Sequence, residues 1–279
     1  MKTYILLFKS RDRKGIVAGI SNFILRQDGN IINASQYTTG PAGGYFFLRI
    51  EFVLGRQSSL ASLTRSFKPV AEKFSADWNI YDKAKALRMG ILVSRPDHCL
   101  LDILYLWKIG ELAVDIPFVI SNYEKHCAVV RQHKIPFYFL PADKNNRREK
   151  ELLKLVANNT DFLVLARYML VLSAGFLKKY NKEIINIHHG LLPSFKGANP
   201  YEKALNQGVK VIGATAHFVN HRLDEGPIIS QAVEQVTHND GLQSLLRKGR
   251  NLEKRALSDA IAGFVDYRLI KYGNRTIVF

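Results

Sequence analysis

Gly90-Ile91-Leu92-Val93, running into Ser94-Arg95-Pro96, is the stretch from which the larger part of the fold can be read. An uninterrupted apolar run of this length suits a strand buried on both faces, as in a parallel sheet. Toward the C-terminus, helical and strand patterns alternate. Leu100 to Trp107 reads as a helix, Val114 to Ile120 as a strand, Tyr123 to His133 as a helix and Phe137 to Leu140 as a strand. Arg148 to Ala157 reads as a helix, with Phe162 to Ala166 and Ile184 to His188 as strands. Such alternation calls for helical crossovers between parallel strands, a doubly wound, mostly parallel α/β sheet. Sites in these sheets lie beyond the carboxyl ends of the strands. The turn Val93-Ser94-Arg95-Pro96 lacks a GxGxxG pattern, so no nicotinamide cofactor is expected.

Toward the N-terminus the pattern changes. Asp82 to Arg88 is a short charged linker, so the chain divides into residues 1–83 and 84–279. Tyr4-Ile5-Leu6-Leu7-Phe8 is β-rich, and Ile16, Ile20, Phe23 and Ile24 recur at helical spacing. Asp28-Gly29-Asn30 stops that helix, with Gly29 suited to a left-handed C-terminal cap. Ile31 to Thr38 and Tyr45 to Leu54 are strands joined through Gly40-Pro41-Ala42-Gly43-Gly44, a hairpin signal. The amphipathic segment Leu60 to Phe74 and the strand Trp78-Asn79-Ile80-Tyr81 complete a ferredoxin-like βαββαβ plait.

Apolar residues make up 47% of the 279 and charged residues 23%, the composition of a globular chain. The net charge of +16 invites a nucleic-acid partner. The basic residues are scattered, however, and Arg147 and Arg148 are interleaved with Glu149 and Glu151, so no nucleic-acid binding is expected. A polyanionic small substrate accounts for the charge equally well. Two cysteines, Cys99 and Cys127, make no disulfide framework and point to a reducing cytoplasm. The longest apolar run, Phe162 to Leu177, is broken by Arg167, and no membrane association is expected.

The densest chemistry lies in Ile184-Ile185-Asn186-Ile187-His188-His189-Gly190-Leu191-Leu192-Pro193. Residues two apart on a strand share a face, so Asn186 and His188 project together at a strand end. An amide donor beside an imidazole suits a carbonyl that becomes a tetrahedral oxyanion. Asp224, in Leu223-Asp224-Glu225-Gly226-Pro227 after the strand Ile212 to Val219, can orient a histidine and take a proton from water. Each element alone also fits an ordinary turn. No metal is expected on His188, His189 and Asp224, because adjacent strand residues face opposite ways.

Together, Asn186-x-His188, the Leu191-Leu192-Pro193-Ser194-Phe195-Lys196-Gly197 loop and Leu223-Asp224-Glu225-Gly226-Pro227 resemble the folate-dependent formyltransferase superfamily. The resemblance implies catalysis by Asn186, His188 and Asp224. It also implies a folate cradle of Met169, Leu170, Val171 and Leu172, a closing loop from Val219 to Leu223, and Thr215 and His217 near the site. Gly190 stands where the family usually has Ser, and Leu170 where a polar residue is common. Asp12-Arg13-Lys14-Gly15-Ile16-Val17 with Gly29-Asn30-Ile31 resembles an ACT domain. That implies a small amino-acid effector at Asp12, Gly15, Ile16, Asn30 and Ile31, across a homo-oligomer. The whole arrangement, including Arg250 to Arg255 and Gly273 to Phe279, is similar to the formyltetrahydrofolate deformylases. The implied reaction is hydrolysis of 10-formyltetrahydrofolate to formate and tetrahydrofolate, supplying purine synthesis and balancing one-carbon pools, with no cofactor. Transfer to glycinamide ribonucleotide would need a phosphate cradle that Val93 to Pro96 lacks. Transfer to methionyl-tRNA would call for a further C-terminal β-barrel.

Overall fold

A computed structural model describes residues 2–40, 43–55, 59–194 and 200–279. The chain divides into two compact units, one of residues 1–86, 266–272 and 277–279, the other of residues 87–265 and 273–276.

In the first unit, β1 (Lys2–Arg11), α1 (Ile16–Arg26), β2 (Gly29–Thr38), β3 (Tyr45–Leu54), α2 (Leu60–Lys73) and β4 (Asp77–Asp82) follow the expected order. The sheet runs β2-β3-β1-β4 with every pairing antiparallel. Alternation on β1 sends Tyr4, Leu6 and Phe8 into one core with Ile16, Ile20, Phe23 and Ile24 of α1 and Leu63, Phe67 and Ala71 of α2. Pro41 and Ala42 of the hairpin signal lie outside the described residues, yet Thr39 N–H donates to Tyr45 O (3.0 Å) where the two strands join.

Gly29 differs from expectation. The left-handed residue after α1 is Asp28, at φ 56°, and Gly29 opens β2. What requires glycine there is space, since a Cβ would stand 2.7 Å from Leu54 Cδ2 and 2.9 Å from Ile24 Cγ2.

The opposite face of this sheet is covered from far along the chain. Arg49 on β3 donates from Nε to the Tyr267 carbonyl (3.1 Å) and from Nη2 to the Asp266 carbonyl (3.0 Å). Tyr267 stacks on Tyr81 at 4.0 Å between ring centroids, and Tyr272 meets Tyr45 and Phe47 at 5.0 and 5.3 Å. A single linear boundary at residue 83 therefore gives no account of these C-terminal residues, which pack where the exposed aromatic and basic face of β3 would otherwise be wet.

The second unit contains β5 (Leu87–Val93), α3 (His98–Lys108), β6 (Val114–Asp115), β7 (Val119–Ser121), α4 (Cys127–Gln132), β8 (Phe137–Phe139), α5 (Glu149–Val156) and β9 (Phe162–Leu165). There follow α6 (Ala174–Tyr180), β10 (Ile184–His188), α7 (Pro200–Asn206), β11 (Val211–Phe218), β12 (Ile228–Gln235) and α8 (Leu242–Val265), with the small hairpin β13 (Leu269–Tyr272) and β14 (Arg275–Val278) at the end. The strand order is β12-β11-β10-β9-β5-β7-β8, with β6 also on β5. The pairs from β10 through β9, β5 and β7 to β8 are parallel, and β11 and β12 add antiparallel at one edge. Every residue of β9 is buried, which is why it reads as a continuous apolar run. The expected single strand from Val114 to Ile120 is two, β6 and β7. Pro117 lies in the break and cannot donate to a ladder, so pairing to β5 stops and resumes beyond it. No helix among the described residues is long and apolar enough to cross a membrane.

Candidate active site

Asn186 and His188 stand on β10, whose neighbours are β9 in parallel and β11 in antiparallel register. That register sets Asn186 opposite His217 and His188 opposite Thr215. Asp224 comes from the loop between β11 and β12, at φ 55°, in the left-handed region that asparagine and aspartate tolerate better than most residues. Its loop is pressed onto β11. A Cβ on Gly226 would lie 1.6 Å from the Phe218 carbonyl oxygen, and Phe218 N–H donates to Pro227 O at 2.9 Å.

The approach brings the Asp224 carboxylate between two imidazoles. Its Oδ2 is 3.2 Å from His188 Nδ1 and its Oδ1 is 3.8 Å from His217 Nε2. Burial works to raise the Asp224 carboxyl, but donation from His188 is the largest opposing cause, and the group is held well below the usual carboxylate range. His217 Nδ1–H donates to the Phe218 carbonyl (2.9 Å), which leaves Nε2 to accept from Asn186 Nδ2 at 3.2 Å. The amide of Asn186 is thereby fixed with a second N–H to offer. His188 turns Nδ1 to the carboxylate and lines the same cavity as Asn186.

These groups open into a cavity of about 480 Å³. Met169, Leu170, Val171, Leu172, His217, Val219 and Leu223 all line it, with Asn186, His188 and Asp224. Met169, Val171 and Leu223 are about half exposed, an apolar rim fitted to a flat ring system. The segment carrying the first two is fastened by Ser94, whose Oγ accepts from Met169 N–H (3.0 Å) and donates to Asn122 Oδ1 (2.7 Å).

Thr215 stands apart from that set. It is fully buried, donates to the Gly190 carbonyl (2.9 Å) and accepts from Leu192 N–H (3.0 Å), so it holds the turn that follows β10. Phe195, Lys196 and Gly197 of that loop lie outside the described residues. His189 lines the cavity as well as His188, because β10 ends at His188 and strand alternation stops there. Burial, then the charge of Arg167, depresses its pKa to about 4, so the ring is neutral near pH 7. The three potential metal ligands that cluster among the described residues are His98, Cys99 and Glu253, not His188, His189 and Asp224. Glu253 is already held by His98, Arg167 and Tyr201.

Sequence reading missed Lys144 and Glu253. Lys144 lies in a polar loop without periodic pattern, and Glu253 sits on a helix where one carboxylate among many charges carries no signal.

In one chain the residues of the supposed effector site are not together. Asp12, Gly15 and Ile16 follow the end of β1, beside Tyr45, whereas Asn30 and Ile31 pair with Val53 and Phe52 at the other end of β3. At about 3.4 Å per residue the two groups are about 27 Å apart. Gly15 has φ 89°, which explains glycine there, and nothing within 4 Å of a would-be Cβ.

The Asn186, His188 and Asp224 constellation thus lies at the carboxyl edge of a mostly parallel sheet, preceded by a βαββαβ plait. The Formyl transferase family profile matches residues 87–261 and the ACT domain profile residues 4–64. The formyltetrahydrofolate deformylase of Bacillus subtilis (strain 168) is 43% identical over 278 residues, 98% of this chain and 93% of that protein. The crystal structure of a formyltetrahydrofolate deformylase from Pseudomonas syringae pv. tomato superposes with a TM-score of 0.95 at 40% identity, covering 100% of this chain and 95% of that one. A glycinamide ribonucleotide transformylase from Symbiobacterium toebii matches at 30% identity and a TM-score of 0.66, covering 72% of this chain and 98% of its own. The chain belongs to the formyltetrahydrofolate deformylase family.

Proposed function

We propose that this chain hydrolyses 10-formyltetrahydrofolate to formate and tetrahydrofolate, with Asn186, His188 and Asp224 as the reacting set. The observation that carries the assignment is the Asp224 carboxylate on His188 Nδ1, beside an Asn186 amide fixed by His217. With Nδ1–H given to Asp224, His188 Nε2 takes a proton from the attacking water, and the carboxylate stabilises the imidazolium that forms. With its Oδ2 on His188 Nδ1, Asp224 serves as orienting charge for the ring. The free N–H of Asn186 donates to the developing oxyanion. Collapse breaks the carbon–nitrogen bond, the imidazolium returns its proton to the folate nitrogen, and the acid formed ionises to formate. One water is consumed and one proton reaches solvent.

The apolar rim takes the pterin, and the basic surroundings favour the glutamate end of the substrate. The first unit would bind a small amino acid. Because its two half-sites are about 27 Å apart in one chain, a complete site needs a second copy, which supports a homo-oligomer. A soluble, cytoplasmic setting without a further cofactor fits this chemistry.

Formate release from 10-formyltetrahydrofolate without any acceptor, compared between wild type and Asp224→Asn, tests the site. Wild type should release formate and the variant should lose ~10² or more of the rate. A folded wild type that needs an acceptor amine would refute hydrolysis. Adding small amino acids to the same assay tests the first unit, and a flat response to all of them would leave it as a pairing scaffold.

A further inference from the structure

Among the described residues, the basic side chains of Lys144, Arg167 and Arg222 line the catalytic cavity. Lys144 and Arg222 are exposed, whereas the Arg167 side chain is 12% exposed. Arg167 stands two residues beyond the end of β9, in a turn at φ 64° where its N–H donates to the Leu165 carbonyl (3.0 Å), and it lines the cavity with His188 and His189. Its charge reaches the neighbouring ring, being the next cause after burial that keeps His189 neutral.

Arg167 is gripped from behind. Glu253 on α8 is 2% exposed, with Oε2 at 3.2 Å from Arg167 Nε and 2.9 Å from His98 Nε2, and Oε1 accepting from Tyr201 OH at 3.1 Å. A carboxylate with three such partners is immobilised, and it meets the guanidinium at its Nε end. Among the described residues Glu253 is the ionic partner of Arg167, and no hydrogen bond engages either Nη group. A nearly enclosed guanidinium on the cavity wall thus keeps both Nη groups unengaged among the described residues. The fork they form matches the two oxygens of a carboxylate.

Hydrolysis creates such a group and transfer to an amine does not. When water adds to the formyl carbon, that carbon carries two oxygens, and after the carbon–nitrogen bond breaks it leaves as an anion. We propose that Arg167, clamped by Glu253, is the anion subsite of the cavity and receives both oxygens of the formyl carbon as they become formate. The inference rests on the hydrolytic reading above. Arg167 touches the reacting atoms, and Glu253 is a positioning residue that acts through it.

The test uses the full chain, with sodium formate as product inhibitor and tetrahydrofolate as the comparison inhibitor. For Arg167→Ala the formate inhibition constant should rise about tenfold or more, the tetrahydrofolate constant should stay within about twofold, and kcat should fall more than KM changes. Arg167→Lys keeps the charge without the fork and should lie between. Glu253→Gln should shift formate in the same direction by less. Line broadening of ¹³C-formate on adding protein reads the same binding without turnover. If Arg167→Ala does not fold, Arg167→Lys carries the comparison. A formate constant and line width unchanged in the folded variants, or a wild type indifferent to formate, overturns the subsite. A wild type that releases no formate without an acceptor overturns the hydrolytic reading instead, so the two failures are distinguishable.

Discussion

Replacing Gly226 with alanine places one methyl group where the structure leaves no room for it. The new Cβ would lie 1.6 Å from the Phe218 carbonyl oxygen, whereas real Cβ contacts essentially never fall below 3.0 Å. The obstacle is backbone of β11, held on one side by β10 and on the other by β12, so the loop must give way rather than the strand. A displacement of about 1.4 Å is needed at the least. It would stretch the Phe218 N–H to Pro227 O bond, now 2.9 Å, and carry Asp224, two residues away, off His188 Nδ1, now 3.2 Å distant. Misplacing a reacting group by about 1 Å costs roughly 10² in rate, and overpacking of this kind destabilises by about 1–3 kcal/mol. Gly226→Ala should therefore lose about 10² in kcat/KM for formate release while still melting cooperatively at a lower temperature. Steady-state kinetics and a calorimetric melt on the same preparation read both effects. Activity within about twofold of wild type would show that the loop does not hold Asp224 by this contact, and the reasoning would fail.

Two further outcomes follow from the same geometry. Thr215→Val keeps the shape but strands the Gly190 carbonyl and the Leu192 N–H, so it should cost about 1–3 kcal/mol in a denaturant titration and lower kcat through the displaced turn, without altering inhibition by tetrahydrofolate. His189 has its folded pKa depressed to about 4 by burial and then by Arg167, while the unfolded chain protonates it near the ordinary histidine value of about 6.5. Between those values the unfolded state binds the extra proton, so stability falls as pH drops from about 6.5 to about 4. His189→Gln should flatten that part of a stability-against-pH curve, and an unchanged slope would place the titrating group elsewhere.

What the sequence disclosed was whatever is local. Gly90 to Val93 and Phe162 to Leu165 announce central parallel strands because both their faces are buried. Asn186 and His188 announce a shared direction because they are two apart on a strand. Asp28 was eclipsed by Gly29 because the glycine's purpose is room beside Leu54, a residue brought there by pairing and not by sequence proximity. The break at Pro117 was legible in principle, since proline forbids the ladder bond. Arg167 and Glu253 stand far apart in the chain and meet only through packing of α8, so neither residue type nor spacing reports their contact. The separation of Asp12 from Asn30 likewise follows from the order of three strands, which the run of elements alone leaves open.

The return of Asp266 to Tyr272 onto the first sheet has a consequence for synthesis. A chain growing from the ribosome ordinarily completes its leading domain first. Here the carbonyls of Asp266 and Tyr267 that accept from Arg49 are made 217 and 218 residues after it, as is the ring of Tyr267 that covers Tyr81. The first sheet thus waits, with one face uncovered, until the chain has grown past Tyr267. Damage at the C-terminal end, by premature termination or a bulky fusion, should accordingly appear as failure of the N-terminal plait.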